Sequence, residues 1–396
     1  MKMGTGVSTQ GETEAAIAEI VAQLEQRGGD SVDLLICYYT ENHAPARLQQ
    51  VLTQLYPKSQ IHGCSTCQGV MTEQGYFSEQ GSAIAVLAIS DPEGSYGSAL
   101  VPMADGGELG GRQAIEAAIA GAEREGESPE LVWLSATPGC EESVIMGIQQ
   151  VIGDQTPIAG GSAADNSVAG GWSLFNQQQQ ERQGVLVTAF YPSVELSFAF
   201  HSGYYPTAFR GVVTRSSGRT IWEIDHQCAA AVYNRWIDHR LDEVIAQGGG
   251  SILSQTTLFP LGRVGGDGSQ RYKLSHPESI TAAGGLALFT DMSEGEELIL
   301  MEGSSESLIH RAGRVADEAL TIADMAAEGS SGALVIYCAG CMLTVEAQMG
   351  EVVESIKSAI PAVPFLGAFT FGEQGCFIDA GNLHGNLMIS IVIFGR

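Results

Sequence analysis

Positive charge is scarce in this chain. Its 396 residues carry 19 Lys and Arg against 46 Asp and Glu, a formal net charge of −27 and a pI near 4.5. Phosphate backbones are bound by clustered Lys and Arg that displace counterions; no such cluster exists, so no nucleic-acid partner is expected. An acidic surface favours solubility and repels anionic membranes. No apolar run approaches the roughly 18 residues that a membrane span needs. The N-terminal stretch Met1–Ser8 also lacks the apolar segment of a signal peptide. The expected location is therefore the cytoplasm, with the eight cysteines reduced, since a chain of this length needs no disulfides to fold.

Several chemistries lack their sequence device. There is no Gly-x-x-x-x-Gly-Lys-Ser/Thr and no strand followed by Gly-x-Gly-x-x-Gly, so nucleotide phosphates have no cradle. Gly160-Gly-Ser-Ala-Ala fails as a nucleophile elbow at its last position. The histidines at 43, 62, 201, 226, 239, 276, 310 and 384 form neither His-x-x-x-His nor His-Glu-x-x-His. No acid, base and nucleophile set assembles, and Glu373 beside a glycine stretch is the lone candidate, so an enzyme is not expected.

What is present is a unit written three times: apolar strand, helix, glycine-rich turn, second apolar strand. The first runs from Asp33–Tyr39 through a helix at Pro45–Leu55 to Gly63-Cys-Ser-Thr-Cys-Gln-Gly and a strand at Ser82–Ile89. The second has Leu131–Ser135, Glu141–Ile152, Gly160-Gly-Ser-Ala-Ala-Asp-Asn and Gly184–Phe190. The third has Ala333–Tyr337, Val345–Ile360, Gly367-Ala-Phe-Thr-Phe-Gly-Glu-Gln-Gly and Asn386–Phe394. Helical periodicity precedes each unit, at Glu12–Gln26, Gly110–Glu125 and Ser307–Ala327. Repeats this divergent indicate duplication inside a compact α/β fold rather than an open solenoid.

The pattern breaks at His201–Arg210, and a domain boundary is expected near residue 200, giving domains 1–200 and 201–396. Beyond it the sequence predicts a hairpin of Gly211–Arg215 with Thr220–Ile224. A long helix at His226–Gln247, closed by Gly248-Gly-Gly, follows, and then two strands about Ser293-Glu-Gly-Glu. The fold class expected is α/β: two packed halves with mixed sheets built from the repeated unit.

Glycine turns at equivalent strand ends are where α/β sheets hold ligands. Gly63, Ser65 and Thr66 from one half, and Gly367, Thr370, Gly372 and Glu373 from the other, are expected to line one pocket. Ser162 offers a similar hydroxyl. The competing reading is that the glycines serve tight turns alone. Two Cys-x-x-Cys pairs, Cys64/Cys67 and Cys338/Cys341, suit thiol–disulfide exchange or zinc, or else simple packing. Cys338/Cys341 fits the redox pattern better, opening a helix after a strand.

Pro364-Phe-Leu-Gly-Ala-Phe-Thr-Phe-Gly-Glu-Gln-Gly and Ile61-His-Gly-Cys-Ser-Thr-Cys-Gln-Gly resemble the FIST sensory domain family. Gly203-Tyr-Tyr-Pro, Trp222-Glu-Ile-Asp and Ala230-Ala-Val-Tyr extend the resemblance, as does the stretch from Leu258-Phe-Pro-Leu-Gly to Leu300-Met-Glu-Gly-Ser. It covers nearly the whole chain. The chain departs from the family at His226 and Cys228, where the family often reads glycine and then proline. The resemblance implies an intracellular sensor of the stand-alone kind that binds a small ligand and controls a signalling partner. Some such bacterial proteins are hemoproteins that sense nitric oxide and tune a histidine kinase; others have been proposed to bind amino acids or related metabolites. A heme would need one histidine in an apolar pocket. His276 ranks first, because Pro277 restricts the backbone before it, followed by His226 and His201.

Overall fold

Leu34–Tyr39 has no polar alternation, the mark of a strand covered on both faces, and all six residues are buried. In the computed structural model, which describes residues 1–26, 31–104, 106–264, 272–377 and 381–396, this run is β2. It lies parallel to β3 (Gln60–Ser65) through the crossover helix α2 (Pro45–Leu55), and antiparallel to β6 (Ile84–Ser90). A leading strand β1 (Lys2–Ser8) pairs with β6, and α1 (Thr13–Gln26) lays Ala16, Ile17, Ile20 and Leu24 into the same core as α2.

The second unit repeats this order with β7 (Ser95–Pro102), α3 (Gly107–Gly121), β8 (Leu131–Ala136), α4 (Glu141–Ile152), β9 (Ile158–Ser162) and β12 (Gly184–Tyr191). The third has β13 (Leu196–His201), α5 (Ser305–Ile322), β14 (Ser330–Cys338), α6 (Ala339–Thr344), α7 (Met349–Ala359), β15 (Phe365–Thr370) and β18 (Ile389–Gly395). Between β13 and α5 sits an inserted nine-stranded sheet, residues Tyr205–Glu302, with its own core around Val213, Ile224, Tyr233 and Leu286.

Each unit also carries a short hairpin after its third strand, and each hairpin joins a neighbour's sheet. The hairpin β4 (Val70–Thr72)/β5 (Gly75–Phe77) of the first unit pairs with β15 of the third. That of the second, β10 (Leu174–Phe175)/β11 (Gln180–Glu181), pairs with β3 of the first. That of the third, β16 (Glu373–Phe377)/β17 (Gly381–Gly385), pairs with β9 of the second. Three six-stranded sheets of identical order result: β1-β6-β2-β3-β10-β11, β7-β12-β8-β9-β16-β17 and β13-β18-β14-β15-β4-β5.

The period-2 alternation of strands sends one side of each sheet inward and the other outward. Leu34, Ile36 and Tyr38 of β2, Leu131 and Trp133 of β8, and Leu334 and Ile336 of β14 share one central core. The intervening residues pack under each unit's own helices. The architecture is the α/β arrangement of packed, mixed sheets expected from the repeats.

Two expectations need correction. Gly63, Gly160 and Gly367 are not turn residues but lie inside β3, β9 and β15. Their reason is close approach: Gly63 stands opposite Phe175 and Gly367 opposite Met71 of the donated hairpins. A Cβ at either glycine would collide with that side chain. The helix expected at His226–Gln247 is two shorter ones, Ala229–Trp236 and Asp242–Ala246. It breaks where Asp238 and His239 adopt left-handed backbone, at φ 57° and 59°. The two strands expected about Ser293-Glu-Gly-Glu are present as Leu286–Leu288 and Glu297–Glu302, each paired with other strands of the insert.

Candidate functional site

The ends of β3, β9 and β15 converge, each bonded to the next. Thr66 Oγ1 accepts from Phe369 N at 2.8 Å, Ala164 N donates to Ser65 O, and Ser162 N donates to Gly372 O. The first and third units' glycine stretches therefore meet, but in dense packing. Ser65 Oγ accepts from Ser173 N at 2.9 Å, Gly63 and Gly367 are covered by the hairpins, and Gly372 lies against His384. Glu373 is fully buried, accepting from Met388 N and Thr370 Oγ1, each at 3.0 Å. Burial pushes its carboxyl well above the usual range. Of the seven sequence-predicted ligand residues, Thr370 lines the cavity beside this convergence and the other six do not.

That cavity, about 430 Å3, lies between the third unit and the insert. Cys338, Ala339, Gly340 and Leu343 contribute from the end of β14 and from α6, and Thr370 and Phe371 from the end of β15. Leu253, Thr257, His276 and Phe289 come from the insert, and Asn386 from the approach to β18. Val168 of the second unit stands on the rim, half exposed and with φ 56°, a conformation that a β-branched residue adopts only under constraint. The constraint is Asp165, whose carboxylate accepts from the amides of Ser167, Ala169 and Gly171.

His276 is the histidine that the sequence ranked first, and it lies in this wall. Its backbone N–H donates to Asn386 Oδ1 at 3.1 Å, tying the insert to the third unit. Its Nε2 is 3.0 Å from Thr256 Oγ1, which also lies 2.8 Å from Pro277 O and 3.0 Å from Ile252 O. The Thr256 hydroxyl is thus shared between the imidazole and the two carbonyls. Burial lowers the imidazole to about 4, so it is neutral at pH 7. His226 and His201 are elsewhere. His226 is exposed in a left-handed turn, and His201, exposed at the end of β13, accepts from Gly203 N. Neither lines the cavity. Asn386 and Phe289 were missed because they sit in loops without a motif, and Leu253 because it opens a helix of only four residues, Leu253–Thr256.

Glu141, Glu142 and His384 place ligand atoms within 4.8 Å of one another. Arg219 Nη2 already holds both carboxylates, at 2.8 and 2.7 Å, and Lys273 stands 3.9 Å from Glu142. The charge is balanced by protein, and the group reads as a clamp between α4 and the insert. All eight cysteines are free. Burial pushes Cys64 and Cys67 up to about 12, and neither Cys-x-x-Cys pair belongs to a metal-ligand cluster among the described residues.

A model of the FIST N domain matches residues 33–227, and one of the FIST C domain matches residues 229–376. No curated protein matches the sequence. Among solved structures the chain is similar to cyanuric acid hydrolase from A. caulinodans, at 8% identity and a TM-score of 0.39, over 100% of this chain and 99% of that one. No helix among the described residues is long and apolar enough to cross a membrane.

Proposed function

Because the chain belongs to the FIST family of signalling sensor domains, we propose that it is a sensor whose small ligand occupies the cavity walled by His276, Asn386, Thr370 and Cys338. The observation that carries this reading is the lining itself, largely apolar with a few convergent polar groups, as small-molecule sites are. No Asp, Glu, Lys or Arg lines it, which favours an uncharged ligand over a zwitterionic amino acid. The wall offers a neutral imidazole, hydroxyls and an amide, a set suited to binding rather than turnover.

A ligand here bridges the insert and the third unit, and shifts their equilibrium only by preferring one arrangement. A histidine kinase or another signalling protein is the partner that this reading calls for. A heme with nitric oxide as signal finds His276 in place, but the residues present do not fit it. Nε2 is engaged by Thr256 Oγ1, and no Lys or Arg lines the cavity to meet propionates.

Gly340→Leu tests the reading. A Cβ there meets Leu387, Cys338 and His276 at 3.5–3.7 Å, so the longer side chain grows into the cavity while helix propensity improves by up to about 1 kcal/mol. Thermal shifts are measured against neutral metabolites, charged metabolites and hemin. The expected result is stabilisation by neutral compounds in the wild type and none in Gly340→Leu. Stabilisation by hemin or charged compounds alone, or unchanged binding in the variant, overturns it.

A further inference from the structure

Arg311 projects from α5 into the core and is fully buried. Its Nη1 donates to Leu387 O at 2.7 Å and to Ser202 O, and the guanidinium lies 4.7 Å over the Tyr337 ring. Its Nε and Nη2 have no hydrogen-bond partner, and no carboxylate forms an ion pair with it among the described residues. A guanidinium cannot shed its charge, and a buried cation without an anion is strongly destabilising.

The acidic groups around it are Cys341, Tyr337, Tyr204, Cys338 and Glu373. Burial raises four of these, Tyr204, Tyr337, Cys338 and Glu373. Cys341 is the exception. Burial raises it, but the Cys338 hydrogen bond, the Arg311 charge and the Tyr204 hydroxyl at 3.5 Å lower it further, to about 6. Of the five, Cys341 is thus the group that the Arg311 charge and the Tyr204 hydroxyl draw toward the thiolate. Cys338, hydrogen-bonded to it, forms part of the cavity wall, whereas Cys341 is sealed behind.

We infer that Cys338 and Cys341 form a reversible dithiol–disulfide site, oxidised by a small peroxide that enters through the cavity, with Arg311 holding Cys341 as the resolving thiolate. Before reaction one proton is shared between the two sulfurs. When it passes to Cys341, the Cys338 sulfur attacks a peroxide oxygen and the O–O bond breaks. Cys338 becomes a sulfenic acid, and the departing hydroxide takes the proton from Cys341 to leave as water. The Cys341 thiolate then attacks Cys338 Sγ, the S–O bond breaks, and hydroxide leaves. Two thiol sulfurs have lost two electrons and the peroxide has gained them. The disulfide removes the anion opposite Arg311, so oxidation is felt in α5 as well as in the cavity wall.

The test uses the full chain and dilute hydrogen peroxide at neutral pH, with N-ethylmaleimide trapping and peptide mapping. The expected product is a Cys338–Cys341 disulfide reversed by dithiothreitol, with Cys64 and Cys67 still reduced. Cys341→Ser is expected to form no intramolecular disulfide and to slow the oxidation of Cys338, with whatever sulfenic acid forms there remaining dimedone-reactive. Arg311→Lys retains the rate and Arg311→Met slows it by about tenfold or more, as loss of thiolate requires. Should Arg311→Met fail to fold, the wild-type rate against pH decides, rising with a midpoint near 6. Modification confined to exposed Cys228, an undiminished rate in folded Arg311→Met, or a rate that rises only above about pH 8, where ordinary thiols ionise, overturns the inference.

Discussion

Arg219 sits at the turn of the insert's first hairpin and grips three carboxylates at once. Its Nη2 is 2.8 Å from Glu141 and 2.7 Å from Glu142, and its Nε is 3.1 Å from Asp291. Glu141 is 1% exposed and also accepts from Ser162 Oγ and Gly139 N, at 2.9 and 3.0 Å. Burial opposes its ionisation, but His384, Arg219 and the hydrogen bonds outweigh this and leave it below the usual carboxylate range. Burial keeps His384 itself neutral near pH 7, so Arg219 is the cation that matters. Breaking a buried pair from one side costs about 3–5 kcal/mol. With two hydrogen bonds retained and Arg219 partly exposed, Arg219→Ala is expected to cost about 2–3 kcal/mol at pH 7.

The pH dependence gives the sharper test. In the wild type the carboxylate's contribution is present above the unfolded value of about 4.5 and is lost as pH falls through the lowered folded value. In Arg219→Ala burial acts without its opponent, the folded value rises above the unfolded one, and the penalty grows as pH climbs past it. Urea unfolding at pH 7 and pH 4 should therefore show a large difference between variant and wild type at pH 7 and a small one at pH 4. Adding Glu141→Gln should recover most of the loss. An equal penalty at both pH values, or no recovery, refutes the assignment.

Gly97 of β7 lies so close to α3 that a Cβ would overlap Ala118 O and Ala122 N. Gly97→Ala is expected to cost about 1–3 kcal/mol, read as a lower urea midpoint with cavity binding unchanged. His62 is fully buried between Ser135 Oγ and Thr188 Oγ1, at 2.9 Å each, and burial lowers its imidazole to about 3. Below pH 6.5 the unfolded chain takes up a proton that the folded one refuses, so stability should fall by up to about 1.4 kcal/mol per pH unit through this residue. His62→Gln is expected to flatten that slope in unfolding measurements at pH 4–6.

The three units were legible because each first strand is apolar on both faces and each following helix is periodic; Pro45–Leu55 and Glu141–Ile152 match the sequence reading at both ends. The role of the glycines was not legible. Gly63 and Gly367 answer to Phe175 and Met71, more than a hundred residues away in sequence, and no local pattern announces such a partner. The site was half readable. His276 and Thr370 line the cavity, yet the loops carrying Asn386 and Phe289 are placed there only by the docking of the insert. Arg311 had a signal that went unused: a charged residue on the apolar face formed by Leu308, Ile309, Ala312 and Val315.

The exchanged hairpins set a timetable for the nascent chain. Strand β4 is synthesised near residue 70, but its partner on the third sheet, Leu366–Ala368, comes almost at the end. At about 5–20 residues per second the wait is roughly 15–60 s. Throughout it the first unit presents a hairpin with no sheet and a β3 edge with no neighbour until β10 arrives. Unpaired edges of this kind template wrong pairings. A ribosome that stalls in the insert, or a nonsense codon anywhere before residue 366, therefore releases a chain with its edge still open, a ready substrate for holdase chaperones and for co-aggregation with its own copies.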